Sequence, residues 1–127
     1  MNPNVSKIFV KPEATIKTAL GVLADHKSKL TTVPAGIVLV VDSASRLIGI
    51  ATDGDIRRAL AGGIPLESSI SKIINTKPFT IEGPKTNLEI LSLVAAKLKE
   101  ESWHKDRLSK IVIVDKNKKV LDVVSFY

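Results

Sequence analysis

Two patterns of apolar and polar positions each occur twice along the chain. Around residues 16–24 the apolar side chains recur at the spacing of one helix face, and residues 88–98 repeat that spacing. Residues 36–41 and 110–114 are continuous β-branched runs, which are typical of strands covered on both faces. The predicted buried stripes are Ile16, Ala19, Leu20, Leu23 and Ala24 in the first helix, and Leu88, Leu91, Val94, Ala95 and Leu98 in the second.

The two halves of the chain are related by an internal repeat. Residues 38–52 (VLVVDSASRLIGIAT) match residues 111–125 (IVIVDKNKKVLDVVS), so that Asp42 corresponds to Asp115, 73 positions later. Each half is predicted to form a strand, a helix, a strand, a turn and a strand, and the first half continues into a helix at residues 55–63. We therefore expect a two-layer α/β (α+β) fold. Its two β-α-β-β-α repeats, residues 1–66 and 67–127, should pack their sheets face to face around one core.

The second repeat is shorter than the first. It ends in Val-Val-Ser-Phe-Tyr, where the first repeat continues into its last helix. We expect a fragment of a longer protein, in which a covering helix and an acidic residue follow. Apolar residues at the end of the second repeat should then be more exposed than those of the first. The residues to compare are Val123, Val124 and Phe126 with Ile50 and Ala51.

Composition narrows the class of protein. Cysteine is absent, which excludes disulfides and cysteine-rich metal sites and favours a cytoplasmic protein. The net charge of +6 is spread over both halves and aromatic residues make up only 4%, which argues against nucleic acid as a partner. The longest apolar run, residues 36–41, is too short to cross a membrane.

One polar stretch, residues 49–58 (GIATDGDIRR), carries candidate chemistry. A carboxylate such as Asp55 at a helix start can accept hydrogen bonds from both hydroxyls of a ribose, and the Thr52 hydroxyl can donate to a phosphate oxygen. The helix start adds backbone N–H groups. Ile50 can pack against a base, and Arg58 can neutralise a phosphate. These residue types together indicate a nucleotide site.

Other interpretations of the same stretch stay open. Asp53 or Asp55 can simply cap the helix without binding any ligand, and the arginines can form a solvated helix face. A metal would need further ligands, and the sequence marks none. His26 and His104 are far apart with no second ligand near either, so we predict no metal and no catalytic residue.

The duplicated unit resembles the cystathionine β-synthase (CBS) domain in tandem, which is called a Bateman module. Its most specific part is Gly-x-x-Thr-x-x-Asp, here Gly49, Thr52 and Asp55. The resemblance implies a regulatory module without catalysis of its own that binds AMP, ADP or ATP and forms a homodimer. In the second repeat Asp122 stands where the family has glycine, and Ser125 replaces the threonine. These departures weaken the case for a second ligand site.

The resemblance also implies further site residues and a parent protein. The cleft of such modules lies between the repeats, which makes Thr76, Phe79 and Ser109 candidates, although they can equally be turn and core residues. A second site on Ser125 would draw on residues 34–36. TDGDIRR is similar to CBS pairs beside sugar-phosphate nucleotidyltransferases and beside arabinose-5-phosphate isomerases. Residues 62–81 favour the nucleotidyltransferase as the catalytic domain. The alternative function is a ligand-free dimerisation module, which would have no need of Thr52 and Asp55.

Overall fold

The computed structural model describes residues 2–27, 33–99 and 110–125, which form two small three-stranded sheets. The strands of the first sheet are β1 (Phe9–Val10), β2 (Ile37–Val41) and β3 (Leu47–Thr52), and those of the second are β4 (Thr80–Glu82), β5 (Lys110–Val114) and β6 (Val120–Ser125). In each sheet the middle strand pairs in parallel with the first and antiparallel with the last.

In the described ranges, three helices accompany the sheets. They are α1 (Ile16–Lys27), α2 (Asp53–Ala61) and α3 (Asn87–Leu98), and short 3-10 turns cover Val5–Ile8 and Ile70–Lys72. The order of elements confirms the predicted two-layer α+β architecture of two repeats. The linker residue Ile70 packs into the outer core of the first repeat, whereas Val5 and Ile8 pack between the sheets. The boundary at residue 66 remains a prediction.

The two hairpins have the same register. Val41 pairs with Leu47 after a one-residue irregularity in the first, and Val114 pairs with Val120 after the same irregularity in the second. The turns also match, because Ser45 has a φ of 63° and its counterpart Lys118 has a φ of 66°. Residues 38–52 and 111–125 are therefore equivalent strands, as the sequence repeat predicted.

The hairpin turns contact each other across the pseudo-two-fold axis. The Leu47 N–H donates to the Lys118 carbonyl oxygen at 2.9 Å, and the Val120 N–H donates to the Ser45 carbonyl oxygen at 3.1 Å. Leu47 and Val120 are counterparts in the repeat, so each half makes the same bond to the other. This reciprocity is the local signature of the predicted pseudo-symmetry.

One apolar core lies between the sheets and is shared by both repeats. It contains Val5, Ile8, Val33, Ile37, Leu39, Val41, Ile50, Val112, Val114, Val120 and Val123. A second cluster, under α1 and α2, covers the outer face of the first sheet, and a smaller third cluster lies under α3. Counting only the residues that the structure describes, the outer face of the first repeat is the more completely packed of the two.

The predicted buried stripe of the second helix is wrong in part. α3 buries Ile90 and Val94 against its sheet, whereas Leu88 and Leu91 are exposed. Ala95, also assigned to the stripe, is exposed as well. The sequence could not select the face, because apolar residues occupy several sides of this helix and more than one line satisfies helical spacing.

The predicted exposure at the end of the second repeat is half right. Val123 is only 2% exposed, against 9% for Ile50, because both side chains face the shared core. Val124 points to the outer face and is half-buried, whereas its counterpart Ala51 is fully buried, as predicted. Phe126 lies outside the described residues.

Candidate functional site

The motif at the end of β3 forms a reciprocal helix cap. The Thr52 hydroxyl accepts a hydrogen bond from the Asp55 N–H at 3.2 Å, and Asp55 Oδ2 accepts one from the Thr52 N–H at 3.0 Å. Thr52 is the capping residue because it is still extended, with φ −94° and ψ 165°, while the helix begins at Asp53. Asp55 therefore takes part in capping the helix, as one of the open interpretations of this stretch stated, whereas Asp53 is the first helical residue and does not cap it.

The two arginines of α2 pair with the two aspartates. Arg58 Nη2 donates to Asp55 Oδ1 at 2.6 Å, and Arg57 Nη2 donates to Asp53 Oδ2 at 2.8 Å. Both guanidinium groups are largely exposed to solvent. One carboxylate oxygen of Asp55 thus accepts a hydrogen bond at the helix start. The other forms an exposed ion pair with Arg58, and such pairs contribute little to stability.

The linker between the repeats runs beside β3. Asn75 exchanges two backbone hydrogen bonds with Ile50, at 2.8 and 3.0 Å. A Cβ on Gly49 would lie 2.7 Å from the Asn75 carbonyl oxygen, so only glycine leaves room for the linker there. The first glycine of the motif therefore allows the linker to pack against the motif strand.

The predicted site residues fall into two groups. Ile50, Thr52, Asp55 and Arg58 lie together, along the last residues of β3 and the first turns of α2. Thr76 follows Asn75 toward the other end of β3, where it lines a cavity of about 190 Å³ together with Leu47, Ile48, Lys77, Pro78, Thr80, Val114 and Lys118.

Phe79 belongs to the outer core of the second repeat. It packs there against a cluster that includes Ile81 and Ile90, and the Lys97 ammonium lies 5.6 Å from the centre of its ring. Ser109 lies outside the described residues. The structure therefore does not bring Thr76 or Phe79 to Asp55, and their role as ligand contacts stays a prediction.

Lys110 is a candidate that the sequence reasoning missed. It begins β5 at the position that corresponds to Ile37, which is fully buried. A Cβ on Gly36 would lie 3.9 Å from its Nζ, and the Gly36 carbonyl oxygen accepts the Asp53 N–H at the start of α2. The second repeat thus places a positive charge near the helix start of the first. A lysine opening an otherwise β-branched run was the available signal.

Gly36 also connects to the expected second site. A site on Ser125 was predicted to draw on residues 34–36, and Gly36 lies near the side chain of Lys110, whose partner in the sheet is Ser125.

Other polar groups of the described ranges serve the fold. His26 Nε2 lies 2.8 Å from the Val33 carbonyl oxygen inside the protein. In the first hairpin turn, the backbone N–H of Arg46 hydrogen-bonds Asp42 and lowers the pKa of that carboxyl. Within residues 2–27, 33–99 and 110–125, no three His, Cys, Asp or Glu side chains are placed to hold a metal, and none of the helices is long and apolar enough to cross a membrane.

Residues 1–62, which contain the motif and its capping box, match the model of the CBS domain. The first repeat belongs to the CBS domain family. Solved CBS structures extend the match to both repeats. A CBS domain protein of Pyrobaculum aerophilum complexed with AMP superposes with a TM-score of 0.70 at 22% identity, over 93% of this chain and 79% of the other.

A second CBS structure was solved with adenosine derivatives. It is the CBS domain pair of protein MJ0100, in complex with 5′-methylthioadenosine and S-adenosyl-L-methionine. It has a TM-score of 0.69 at 24% identity, over 93% of this chain and 80% of the other. Both likenesses establish the CBS-pair fold.

Curated relatives are longer bacterial proteins. An uncharacterised protein of Helicobacter pylori is 32% identical over 119 residues, which are 94% of this chain and 32% of the relative. Arabinose 5-phosphate isomerase KpsF of Escherichia coli is 30% identical over 118 residues, 93% of this chain and 32% of the enzyme. The CBS pair therefore spans about a third of the length of these relatives.

Proposed function

We propose that this CBS pair is a regulatory module that binds AMP, ADP or ATP beside Thr52 and Asp55. The observation that carries the proposal is the capping box, which holds a hydroxyl and a carboxylate together at a helix start. The Thr52 hydroxyl accepts the Asp55 N–H, so its own proton can be donated to a phosphate oxygen. Arg58 and Lys110 supply positive charge for the phosphate, and Asp55 accepts the ribose hydroxyls.

The regulatory part of the proposal rests on contacts from both repeats. Asp55 belongs to the first repeat, and Lys110 approaches from the second. A nucleotide held by both would favour one relative placement of the two halves. Coupling of this kind is typically worth about 1–3 kcal/mol, which is enough to alter the activity of an attached domain.

The attached domain is proposed to act on a sugar phosphate. Among the relatives, KpsF of Escherichia coli and KdsD of Pseudomonas aeruginosa bear the name arabinose 5-phosphate isomerase, which favours an isomerase. A nucleotidyltransferase, indicated by residues 62–81, stays a prediction. Assaying the full-length protein on arabinose 5-phosphate with and without AMP tests this assignment. A full-length protein without isomerase activity would contradict it.

Titration calorimetry of the chain with AMP, ADP and ATP tests the site itself. Asp55→Ala should weaken binding by about 1.5–3 kcal/mol, the scale of a lost hydrogen bond that involves a charged group. Asp53→Ala is the matched control, because Asp53 lies in the same helical turn and also pairs with an arginine. Equal affinity in the wild type and in Asp55→Ala would refute the assignment.

The second candidate function is a dimerisation module that needs no ligand. α3 exposes Leu88 and Leu91, by 77% and 50%, on one side of the helix, and Ala95 continues that side. We propose that a second copy of the chain covers this face. Leu91→Asp should then shift the sedimentation of the protein from dimer to monomer, whereas Leu66→Asp, which changes another exposed leucine, should not. Dimerisation without any nucleotide binding would favour this candidate over the first.

A further inference from the structure

Arg58 occupies the one oxygen of Asp55 that the helix cap leaves available. Oδ2 accepts the N–H of Thr52, and Oδ1 accepts Arg58 Nη2 at 2.6 Å. The Arg58 side chain is 74% exposed, and the ion pair with Asp55 holds it in this position. A ribose hydroxyl that is to hydrogen-bond to Asp55 Oδ1 must therefore displace the Arg58 guanidinium.

The same guanidinium lies over the first turn of α2. A Cβ on Gly54 would be 3.3 Å from Arg58 Nη1, so the absence of a side chain at Gly54 makes room for it. A phosphate at the helix start would therefore lie within reach of Arg58 after a change of rotamer, with no movement of the backbone.

Backbone donors at this helix start are already largely used. The Asp53 N–H donates to the Gly36 carbonyl oxygen at 3.0 Å, and the Asp55 N–H donates to Thr52 Oγ1. An anion at this site consequently depends on side-chain donors more than an anion at an uncapped helix start would.

We propose that Arg58 makes the site selective for phosphorylated nucleosides. This inference rests on the proposed function and refines it. Without ligand, Arg58 covers Asp55 Oδ1. A phosphate draws the guanidinium away and frees this oxygen for a ribose hydroxyl. A nucleoside without phosphate gives Arg58 no new partner, so its ribose must displace the ion pair at a cost. The site therefore selects phosphorylated nucleosides, and it does so through competition for one carboxylate oxygen.

The test compares AMP with adenosine by titration calorimetry on the wild type, Arg58→Met and Arg57→Met. In Arg58→Met, AMP should bind about tenfold more weakly, as expected for loss of a charged hydrogen bond. Adenosine should bind about twofold to fivefold more tightly, because the competing surface ion pair is gone. Arg57→Met removes the same charge one position earlier, where the partner is Asp53, and should leave both affinities within about twofold of the wild type.

The opposite directions of change distinguish this role from general electrostatics. If Arg58→Met weakens AMP and adenosine equally, or alters neither, the competition is absent and the inference is wrong while the nucleotide site stands. If the wild type binds neither ligand, the proposed function fails as well. Thermal unfolding of each variant checks the fold, which should be unaffected because both arginines lie on the surface.

Discussion

The ends of β3 and β6 have the same register but receive different neighbours. At β3, Gly49 lets the linker lie close enough for Asn75 to exchange two hydrogen bonds with Ile50. At the matching place in β6 the residue is Asp122, whose Oδ1 accepts hydrogen bonds from the Asn2 side chain and from the N–H of Val123. One side chain thus decides how the incoming segment meets the strand.

Counterpart residues show that the N-terminal segment meets β6 at a different position from the one at which the linker meets β3. Asn2 corresponds to Asn75, and Val123 corresponds to Ile50, yet the Asn2 N–H donates to Leu121, two residues before Val123. Asp122 carries the Cβ that Gly49 lacks, and beside it the N-terminal segment pairs nearer the start of the strand. Pseudo-symmetry of the backbone therefore does not require two equal sites.

The outer faces of the sheets differ as well. In the first repeat, Ile56 of α2 and Ile70 of the linker are fully buried over the sheet. In the part of the second repeat that the structure describes, a groove of about 330 Å³ remains on this face, lined in part by Ile113, Leu121 and Val124. Among the described residues, the outer core of the repeat with the intact motif contains more buried side chains than the outer core of the other repeat.

The largest expected effect comes from removing a fully buried side chain from the outer core of the first repeat. Ile56→Ala should lower the free energy of unfolding by about 2–5 kcal/mol, because it removes a fully buried side chain and leaves a cavity. Leu121 lines the groove of the second repeat, and its side chain is only partly buried. Leu121→Ala should therefore lower the free energy of unfolding by less than about 2 kcal/mol. Urea denaturation measures both. Equal costs would mean that the two faces are equally well packed.

The next largest effect on stability comes from substituting the counterpart residues Gly49 in β3 and Asp122 in β6. Gly49→Ala should destabilise the protein by about 1–3 kcal/mol, because the new Cβ overlaps the Asn75 carbonyl oxygen and backbone must move. Asp122→Ala should cost only about 0.5–1.5 kcal/mol, the value of its hydrogen bonds to Asn2 and Val123. A tolerated Gly49→Ala, seen as an unchanged unfolding midpoint, would contradict the role assigned to this glycine.

The smallest expected effect on stability comes from the two capping threonines, and it distinguishes helix capping from nucleotide binding. Thr52→Ala and Thr86→Ala each remove the hydroxyl of a capping box, one at α2 and one at α3, and should each cost about 1 kcal/mol. Only Thr52→Ala should also weaken AMP binding, since Thr86 lies on the other repeat in a box with Glu89. Loss of AMP affinity in both variants would show that helix stability, and not the Thr52 hydroxyl, governs binding.

The sequence alone determined the features that depend on local spacing. The repeat at 73 positions, the β-branched strands and the turns at Asp42 and Asp115 follow from residue patterns within a few positions. They predicted the CBS-pair fold and placed Thr52, Asp55 and Arg58 together, because these residues are neighbours at one strand-to-helix junction.

Only the tertiary structure decided the features that depend on contacts between distant segments. The buried face of α3, the pairing of Asn75 with Ile50 and the approach of Lys110 to Gly36 arise when the two repeats pack. Residue patterns could not supply them, since α3 is apolar on several sides and the sequence around Asn75 does not mark its distant partner Ile50. Packing selects one arrangement because it buries a shared core and satisfies backbone hydrogen bonds at the same time.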